Sequence, residues 1–240
     1  MNLLLLHPEQ LMTDERARVT GRQLQHLHDV HDASTGDRLK VGLRDGPVGE
    51  GIIEAMDAHE AVLRLDLHSA PPAPLPLTLV LAMPRPKMLR RIIQSVVSMG
   101  VKHLVLVNSW RVEKSYWQTP WLQPESLADQ ITLGLEQARD TGWVTIEQRR
   151  RFRPFVEDEL PALASGTRRL VAHPGVASPC PAGLMEPVTL CIGPEGGFIP
   201  FEIELLEAQG FSPVHLGPRI LRTETALPAT LGRLFDIMPT

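Results

Sequence analysis

The sequence predicts an α/β protein of two domains, a small antiparallel β-barrel followed by a larger domain with a mostly parallel sheet. Three observations support this prediction. A proline-rich stretch at residues 69–76 contains four prolines within six residues and interrupts the chain as a linker would. Before this stretch apolar and polar residues alternate, and after it short apolar runs alternate with helical periods. We therefore expect domains at residues 1–70 and 77–240, joined by a linker at residues 71–76.

The first domain is predicted to consist of short antiparallel strands. Arg38 to Arg44 alternates apolar residues with charged residues or glycine and then turns at Asp45-Gly46, which is typical of a half-buried hairpin strand. Two further strands are predicted at Gly51 to Ala55 and Ala61 to Leu67. About 70 residues lie near the lower limit for a self-sufficient core, so a small barrel is the expected form.

The second domain is predicted to alternate strands with helices, which produces a parallel sheet. Strands are expected at Leu77 to Met83, at Leu104 to Val107 and near Val144, Leu170 and Leu190. Helices are expected at Lys87 to Met99, Pro124 to Asp140 and Pro200 to Gln209, with Gly100 and Gly210 as terminating glycines. Ligands of such sheets bind beyond the carboxyl ends of the strands.

The composition is that of an ordinary globular protein, with 43% hydrophobic and 22% charged residues. No apolar run approaches the roughly 18 residues that a membrane-spanning helix needs, and Leu3 to Leu6 lacks the features of a signal peptide. We therefore expect a cytoplasmic protein without a membrane partner. The net charge of −4 means that any RNA affinity must come from local patches. The cysteines Cys180 and Cys191 imply neither a disulfide framework nor a thiolate metal site.

Two glycine-containing turns carry most of the functional information. The first is Gly193-Pro194-Glu195-Gly196-Gly197, after a short apolar strand, and the second runs from Leu216 to Ala226, before the last helix. Glycine leaves backbone N–H groups accessible at such positions, which suits a bound ligand. The first turn lacks the Gly-Lys-Ser/Thr of a P-loop and the spacing of a dinucleotide site. Alone, it is equally well a plain turn between strand and helix.

The second turn favours a binding function. Ile220 and Leu221 offer an apolar wall for an adenine ring, while Arg222, Glu224 and Thr225 place charge and hydroxyl groups at the start of the last helix. A charged cluster of this kind is unusual for packing alone. The two turns together predict one shared pocket.

The stretch from Leu190 to Ala226 resembles the signature of the RsmE-type RNA methyltransferases of the SPOUT superfamily, which methylate N3 of a uridine, U1498 in that family, in 16S rRNA. His173-Pro174-Gly175 stands in the place of the family's preceding pocket loop. The resemblance implies a trefoil-knotted α/β domain preceded by a PUA-like RNA-binding barrel. It also implies a homodimer, S-adenosylmethionine (SAM) as cofactor, and 16S rRNA within the 30S subunit as partner.

Arg222 is the predicted catalytic residue. Methylation of uridine N3 requires loss of the imide proton, and a nearby cation stabilises the charge that spreads over the ring oxygens. Glu224 is expected to orient Arg222 through a charge-assisted hydrogen bond. The resemblance implies that three loops bind SAM through His173, Pro174, Ile192, Gly193, Glu195, Gly196, Leu216, Gly217, Ile220, Leu221, Arg222, Thr225 and Ala226.

Local basic and aromatic residues are candidates for RNA contact. The basic group at the start of a predicted helix favours phosphate binding beside a methyltransferase pocket, although such a group is often only a solvated face. The candidate RNA-binding residues are Arg85, Lys87, Arg90 and Arg111, together with Arg22 and His26, which the resemblance to the family's barrel implies. Trp110, Tyr116, Trp117 and Trp121 could stack on extruded bases, or pack internally.

Some positions depart from the family's pattern, and one local cluster suggests another chemistry. Ser95, Ser98 and Trp110 replace the residues usual in that family, which leaves two alternatives open. These are a SPOUT methyltransferase acting on another RNA and a catalytically silent RNA-binding factor in ribosome assembly. His26, His28 and His31 lack a fourth ligand with recognised spacing, so no metal site is predicted.

Overall fold

A computed structural model of the protein describes residues 2–13, 15–29 and 33–236. The chain divides into two compact units. The first unit runs to Ala73 and also includes Ile131–Trp143, and the second comprises Pro74–Gln130 together with the chain from Val144 onward.

The first unit is built on a six-stranded sheet. Its strands are β1 (Leu4–Leu6), β2 (Leu11–Thr13), β3 (Arg16–Val19), β4 (Arg38–Leu43), β5 (Val48–Met56) and β6 (Ala61–Ser69), arranged in the order β1-β4-β5-β6-β3-β2. The hairpin predicted around Asp45-Gly46 joins β4 to β5. β1 pairs with β4 in parallel, so the expectation of a purely antiparallel sheet was wrong at this pair.

Apolar residues at alternate strand positions form the core of the first unit. In β6, Ala61, Leu63 and Leu65 are buried while Arg64 and Asp66 are exposed, as expected for a sheet with one covered face. Helix α1 (Gly21–Asp29) adds Leu24 and Leu27, which lie three residues apart on one helix face, to this core.

Residues 131–143 belong to the first unit, although the sequence-based limits assigned them to the second domain. Long-range hydrogen bonds account for this grouping. The Asp45 carboxylate accepts the backbone N–H of Trp143 at 2.7 Å, and the Thr141 hydroxyl donates to the Gly46 carbonyl at 2.6 Å. The Arg44 guanidinium lies 4.6 Å from the centre of the Trp143 ring. These contacts hold the segment against the β4–β5 hairpin.

The second unit is an α/β structure with an entirely parallel sheet. Its strands are β7 (Leu77–Ala82), β8 (His103–Val107), β9 (Thr145–Arg149), β10 (Arg168–Ala172), β11 (Val188–Ile192) and β12 (Ser212–Val214). Their order is β12-β10-β11-β7-β8-β9, and every neighbouring pair is parallel. All five residues of β11 are buried, as in strands that are covered on both faces.

Helices connect these strands close to where the sequence predicted them. They are α2 (Pro86–Ser98), α3 (Pro124–Ala138), α4 (Phe152–Pro154), α5 (Leu160–Leu163), α6 (Pro200–Ala208) and α7 (Thr223–Leu234). Gly100 and Gly210 have φ angles of +91° and +79° just beyond α2 and α6, which confirms them as terminating glycines. The helical stretch α4–α5 and strand β12 were not predicted. Among the described residues, no helix has both the length and the apolar character needed to cross a membrane.

Candidate functional site

Three loops leave one edge of the parallel sheet at the same level. Ala172, the last residue of β10, pairs with Ile192 of β11 on one side and with Val214 of β12 on the other. We name the following segments the β10 loop (residues 173–175), the β11 loop (residues 193–197) and the β12 loop (residues 215–222). The structure thus brings together the three segments that the sequence indicated for ligand binding.

Contacts from two other strand ends hold the β11 loop in place. The Glu195 carboxylate accepts the backbone N–H of Arg85, just after β7, at 3.1 Å. The Gly196 carbonyl accepts a hydrogen bond from the Arg111 guanidinium, just after β8. The loop therefore presents a fixed backbone at the carboxyl edge.

Glycine at position 196 is explained by Arg111. A Cβ atom on Gly196 would lie 2.9 Å from Cδ of Arg111, so any larger residue would displace that side chain. Similarly, a Cβ atom on Gly193 would lie 2.9 Å from the backbone nitrogen of Phe198. Both glycines serve contacts within the protein, whereas the sequence had suggested that glycine keeps such positions clear for a ligand.

Glu202 is a buried carboxylate that fastens the same region, and the sequence analysis missed it. It is 3% exposed and accepts the backbone N–H groups of Ile199 at 3.0 Å and Trp110 at 2.8 Å. It also accepts the Ser109 hydroxyl at 3.2 Å. A glutamate in the first turn of a helix that begins with proline is a recognisable capping signal, which could have revealed its role.

The β12 loop is more open than the β11 loop. Gly217 has a φ of +110° and donates its N–H to Nδ1 of His215 at 2.9 Å. Apart from Gly217 itself and its two chain neighbours, no described residue has an atom within 4 Å of the position that a Cβ on Gly217 would take. Ile220 is 84% exposed, while Leu216 and Leu221 are half-buried. Apolar side chains and open space thus stand side by side in this loop.

Arg222 precedes α7, and its backbone carbonyl accepts the N–H groups of Thr225 and Ala226. Its side chain is exposed and makes no hydrogen bond or ion pair with any residue in the described ranges. Glu224 lines a groove of about 260 Å³ between α2 and α7, beside Arg91 and Ser95. The expected hydrogen bond between Glu224 and Arg222 is not present among the described residues.

His173 of the β10 loop has a buried ring nitrogen. Its Nδ1 lacks a hydrogen-bond partner among the described residues, while its backbone N–H donates to the Val214 carbonyl at 2.9 Å. Burial lowers the pKa of His173, and the positive charge of Arg111 lowers it further, against an opposing effect of Glu207. The imidazole is therefore kept neutral and has hydrogen-bonding capacity available. The adjacent Pro174 is exposed.

The RNA-binding candidates fall into two groups. Arg85, Lys87 and Arg90 are exposed at the start of α2, and Arg111 is exposed just after β8. Arg22 and His26 lie on α1 in the first unit. Arg22 pairs with the buried Glu136 at 3.0 Å, so it stabilises a charge inside that unit.

The histidine cluster considered for a metal lies partly outside the described residues. His26 and His28 are on α1, and His31 falls in the gap at residues 30–32. The described part of the chain contains no group of three histidine, cysteine or acidic residues that could hold a metal ion. Both cysteines are buried, and burial raises the pKa of both thiols.

Comparison with known proteins points to one family. A sequence model of the family described as RNA methyltransferase domain matches residues 71–234. The chain is 32% identical to the ribosomal RNA small subunit methyltransferase E of Treponema pallidum, over 84% of this chain and 77% of that protein. Identity with its counterpart from Synechocystis is 28%, over 96% of this chain and 76% of the other.

Solved structures share the fold over nearly the full length, and one example is informative. It is a ribosomal RNA small subunit methyltransferase E from Neisseria gonorrhoeae bound to S-adenosyl methionine. The TM-score is 0.76 at 21% identity, with 97% of this chain and 95% of that chain covered. At this identity the likeness shows a common fold.

Proposed function

Because the chain belongs to the RNA methyltransferase family, and within it to the RsmE type, we propose that it transfers a methyl group from SAM to N3 of a uridine in 16S rRNA. One observation carries the proposal. The neighbouring strands β11, β10 and β12 end at the same level, so that the three loops share one edge of the sheet. Ligands of parallel sheets bind at this edge.

The groups at the loops suit SAM. The Nδ1 of His173, which has no hydrogen-bond partner within residues 2–13, 15–29 and 33–236, can bond a polar atom of a ligand, and the space beside Gly217 admits one. Ile220, an apolar side chain left 84% exposed, would be covered by an adenine ring. When bound, SAM supplies a methyl group activated by its sulfonium. The structure of the Neisseria gonorrhoeae relative was determined with SAM, which supports this choice.

We propose that the SAM site comprises the residues that the sequence indicated in the three loops. The β11 loop contributes Gly193, Glu195 and Gly196 as a fixed backbone wall, because Arg85 and Arg111 hold it from outside. The β12 loop contributes the apolar side chains, and the start of α7, with Thr225 and Ala226, completes the site. This division gives the site one rigid side and one adaptable side.

Arg222 is the proposed catalytic residue. Its guanidinium has no ion-pair partner in the described ranges, so it is available to a substrate. As uridine N3 loses its proton, negative charge develops on the ring oxygens, and Arg222 stabilises that charge. The amino-terminal end of α7 adds a favourable field. Glu224 lines the groove against α2, and we propose that it restrains the first turn of α7 and thereby Arg222.

Family membership also supports finer features of the architecture. We propose that the second unit contains the trefoil knot of the SPOUT family and that the first unit acts as its PUA-like RNA-binding barrel, with the linker at residues 71–76. We further propose a cytoplasmic homodimer that acts on 16S rRNA within the 30S subunit. The relatives are named as small-subunit enzymes, which supports this substrate.

Mass spectrometry of 16S rRNA tests the proposed function. Subunits of 30S type from cells lacking the gene are incubated with the purified protein and SAM. We expect one uridine to gain the mass of a methyl group and to become unreactive toward reagents that modify N3. A methyl group on another RNA, or none despite measurable SAM binding, would overturn the proposed substrate. Loss of both transfer and SAM binding would favour an RNA-binding factor without catalysis.

A further inference from the structure

The four tryptophans and single tyrosine occupy very different environments, and one of them stands out. Trp117 is 7% exposed and donates its indole N–H to Asn108 at 2.9 Å. Trp121 is half-buried with the Arg90 guanidinium 4.3 Å from its ring centre, and the Tyr116 hydroxyl donates to Glu113. Trp110 is 79% exposed. Its indole therefore presents a large aromatic surface that is accessible to a partner.

The backbone of Trp110 is fixed although its side chain is exposed. Its N–H donates to the buried Glu202 carboxylate at 2.8 Å, and the preceding Ser109, 2% exposed, donates to the same group. Val112 N–H closes a tight turn on the Ser109 carbonyl at 3.0 Å. The ring therefore projects from a rigid base, which lowers the entropic cost of binding a partner.

Trp110 also lies beside the proposed SAM site. It follows β8 at the carboxyl edge of the sheet, and the next residue, Arg111, donates to the Gly196 carbonyl of the β11 loop. Cations predominate in the segments that follow β7 and β8. They carry Arg85, Lys87, Arg90, Arg91, Arg111 and Lys114, all exposed, with Glu113 as their acidic residue before the 3-10 turn at Lys114–Gln118.

We infer that Trp110 is a stacking platform for an unpaired base of the RNA substrate, next to the methyl-transfer site. The positive charge around it suits a phosphate backbone, and its exposed ring face suits any base. Bases that undergo chemistry are taken out of the helical stack, so an aromatic surface beside the pocket compensates for lost stacking. The inference rests on the proposed function for the identity of the reaction, but the binding step stands separately.

RNA binding by Trp110 variants provides the test. Affinity for a short, fluorescently labelled single-stranded RNA containing uridine is measured by anisotropy for the wild type, Trp110→Ala and Trp110→Phe. Stacking on one aromatic side chain predicts that Trp110→Ala weakens binding about 5- to 150-fold, while Trp110→Phe retains most of the affinity. Met185→Ala is the matched control, because Met185 is an apolar residue that is 91% exposed on another loop. This variant should bind the RNA as the wild type does.

A parallel measurement separates this inference from the proposed function. Methyl transfer to 30S subunits and sedimentation are recorded for the same proteins. Wild-type RNA affinity in Trp110→Ala overturns the inference even if methyl transfer is normal. Loss of a dimer in Trp110→Ala also overturns it, since the ring would then serve a contact between copies. Trp110-dependent RNA binding without methylation of 16S rRNA would support the inference and contradict the proposed function.

Discussion

The β11 loop and the β12 loop leave the same sheet edge at the same level, yet they are held in different ways. The β11 loop is bonded from outside, by the backbone of Arg85 and the side chain of Arg111. In the β12 loop, His215 is hydrogen-bonded to the backbone of Ser178 and Cys180, but Gly217 bonds to His215 of the same loop and Ile220 is 84% exposed. The two glycine-containing turns therefore differ in rigidity. A ligand between them would contact the rigid β11 loop, here called the fixed wall, and the more adaptable β12 loop, here called the yielding wall.

The two loops also require glycine for different reasons. Gly196 makes room for Arg111, whereas Gly217 permits a backbone with φ of +110° beside open space. A glycine in a binding loop can thus serve the protein or the ligand, and only the neighbouring atoms distinguish the two. If this distinction is right, variants of the two loops should fail in different ways.

The largest effect is expected from a substitution in the yielding wall, at Arg222. Arg222→Ala should lower methyl transfer about 100- to 1000-fold, because the charge developing on the uridine oxygens loses its stabilising cation. SAM affinity, measured by calorimetry, should stay close to that of the wild type, because Arg222→Ala keeps the backbone that Arg222 contributes to the SAM site. Arg219→Ala, which removes another exposed arginine of the same loop, is the matched control and should retain activity. A parallel loss of SAM binding would instead assign Arg222 a role in pocket structure.

The stability of the fixed wall should depend on the Glu202 carboxylate. Replacement by alanine leaves two backbone N–H groups and the Ser109 hydroxyl without their buried charged acceptor. We expect Glu202→Ala to lower the free energy of unfolding in urea by about 2–4 kcal/mol. Glu204→Ala changes an exposed glutamate of the same helix and should cost less than about 0.5 kcal/mol. Equal stability of the two variants would show that Glu202 does not hold this wall.

A double-mutant cycle separates the two glycines. Gly196→Ala should destabilise the protein by about 1 kcal/mol through Arg111, and Arg111→Ala should relieve most of that cost. Gly217→Ala should cost about 1–3 kcal/mol because of its backbone conformation, and Arg111→Ala should not relieve it. Additive effects of Gly196→Ala and Arg111→Ala in urea unfolding would contradict the assigned reason for Gly196.

Local patterns in the sequence were sufficient to predict much of the second unit. Apolar runs such as Val188–Ile192 predict buried parallel strands, and Gly100 and Gly210 predict helix ends. The order β12-β10-β11 was not predictable, because pairing between strands distant in sequence is decided by tertiary packing. The grouping of residues 131–143 with the first unit depends on bonds such as Trp143 to Asp45, which are 98 residues apart.

The candidate site shows the same limit. Residue type and position indicated the three loops, but Arg111, the partner of Gly196, follows another strand and was invisible in one sequence. Arg111 was predicted to bind RNA and is found bonded to the Gly196 carbonyl. Glu202 carried a readable capping signal at the start of α6, yet its bond to Trp110 spans 92 residues. Sequence therefore locates a ligand-binding edge, and packing determines which part of that edge is rigid.

The smallest effect is expected from His173 in the β10 loop, which lies between the two walls, and it concerns the pH dependence of stability. Burial and the charge of Arg111 lower the pKa of His173 in the folded protein, with Glu207 opposing them. In the unfolded chain the imidazole titrates near its ordinary value of about 6.5, so that below this pH the unfolded state binds more protons. Stability should therefore fall as the pH drops from about 6.5 toward the lowered pKa of His173. His173→Gln, compared with the wild type by thermal unfolding across this range, should lack that component.

A substitution of Arg111, which holds the fixed wall, tests the cause of the lowered pKa of His173. Its replacement by alanine removes a positive charge near the imidazole, so the pKa of His173, followed by NMR titration, should rise in Arg111→Ala. Arg85→Ala is the control, because Arg85 holds the β11 loop through its backbone N–H and that bond survives the substitution. An unchanged pKa in Arg111→Ala would mean that burial alone keeps His173 neutral. The residue that fastens one wall would then have no electrostatic influence on the loop between the two.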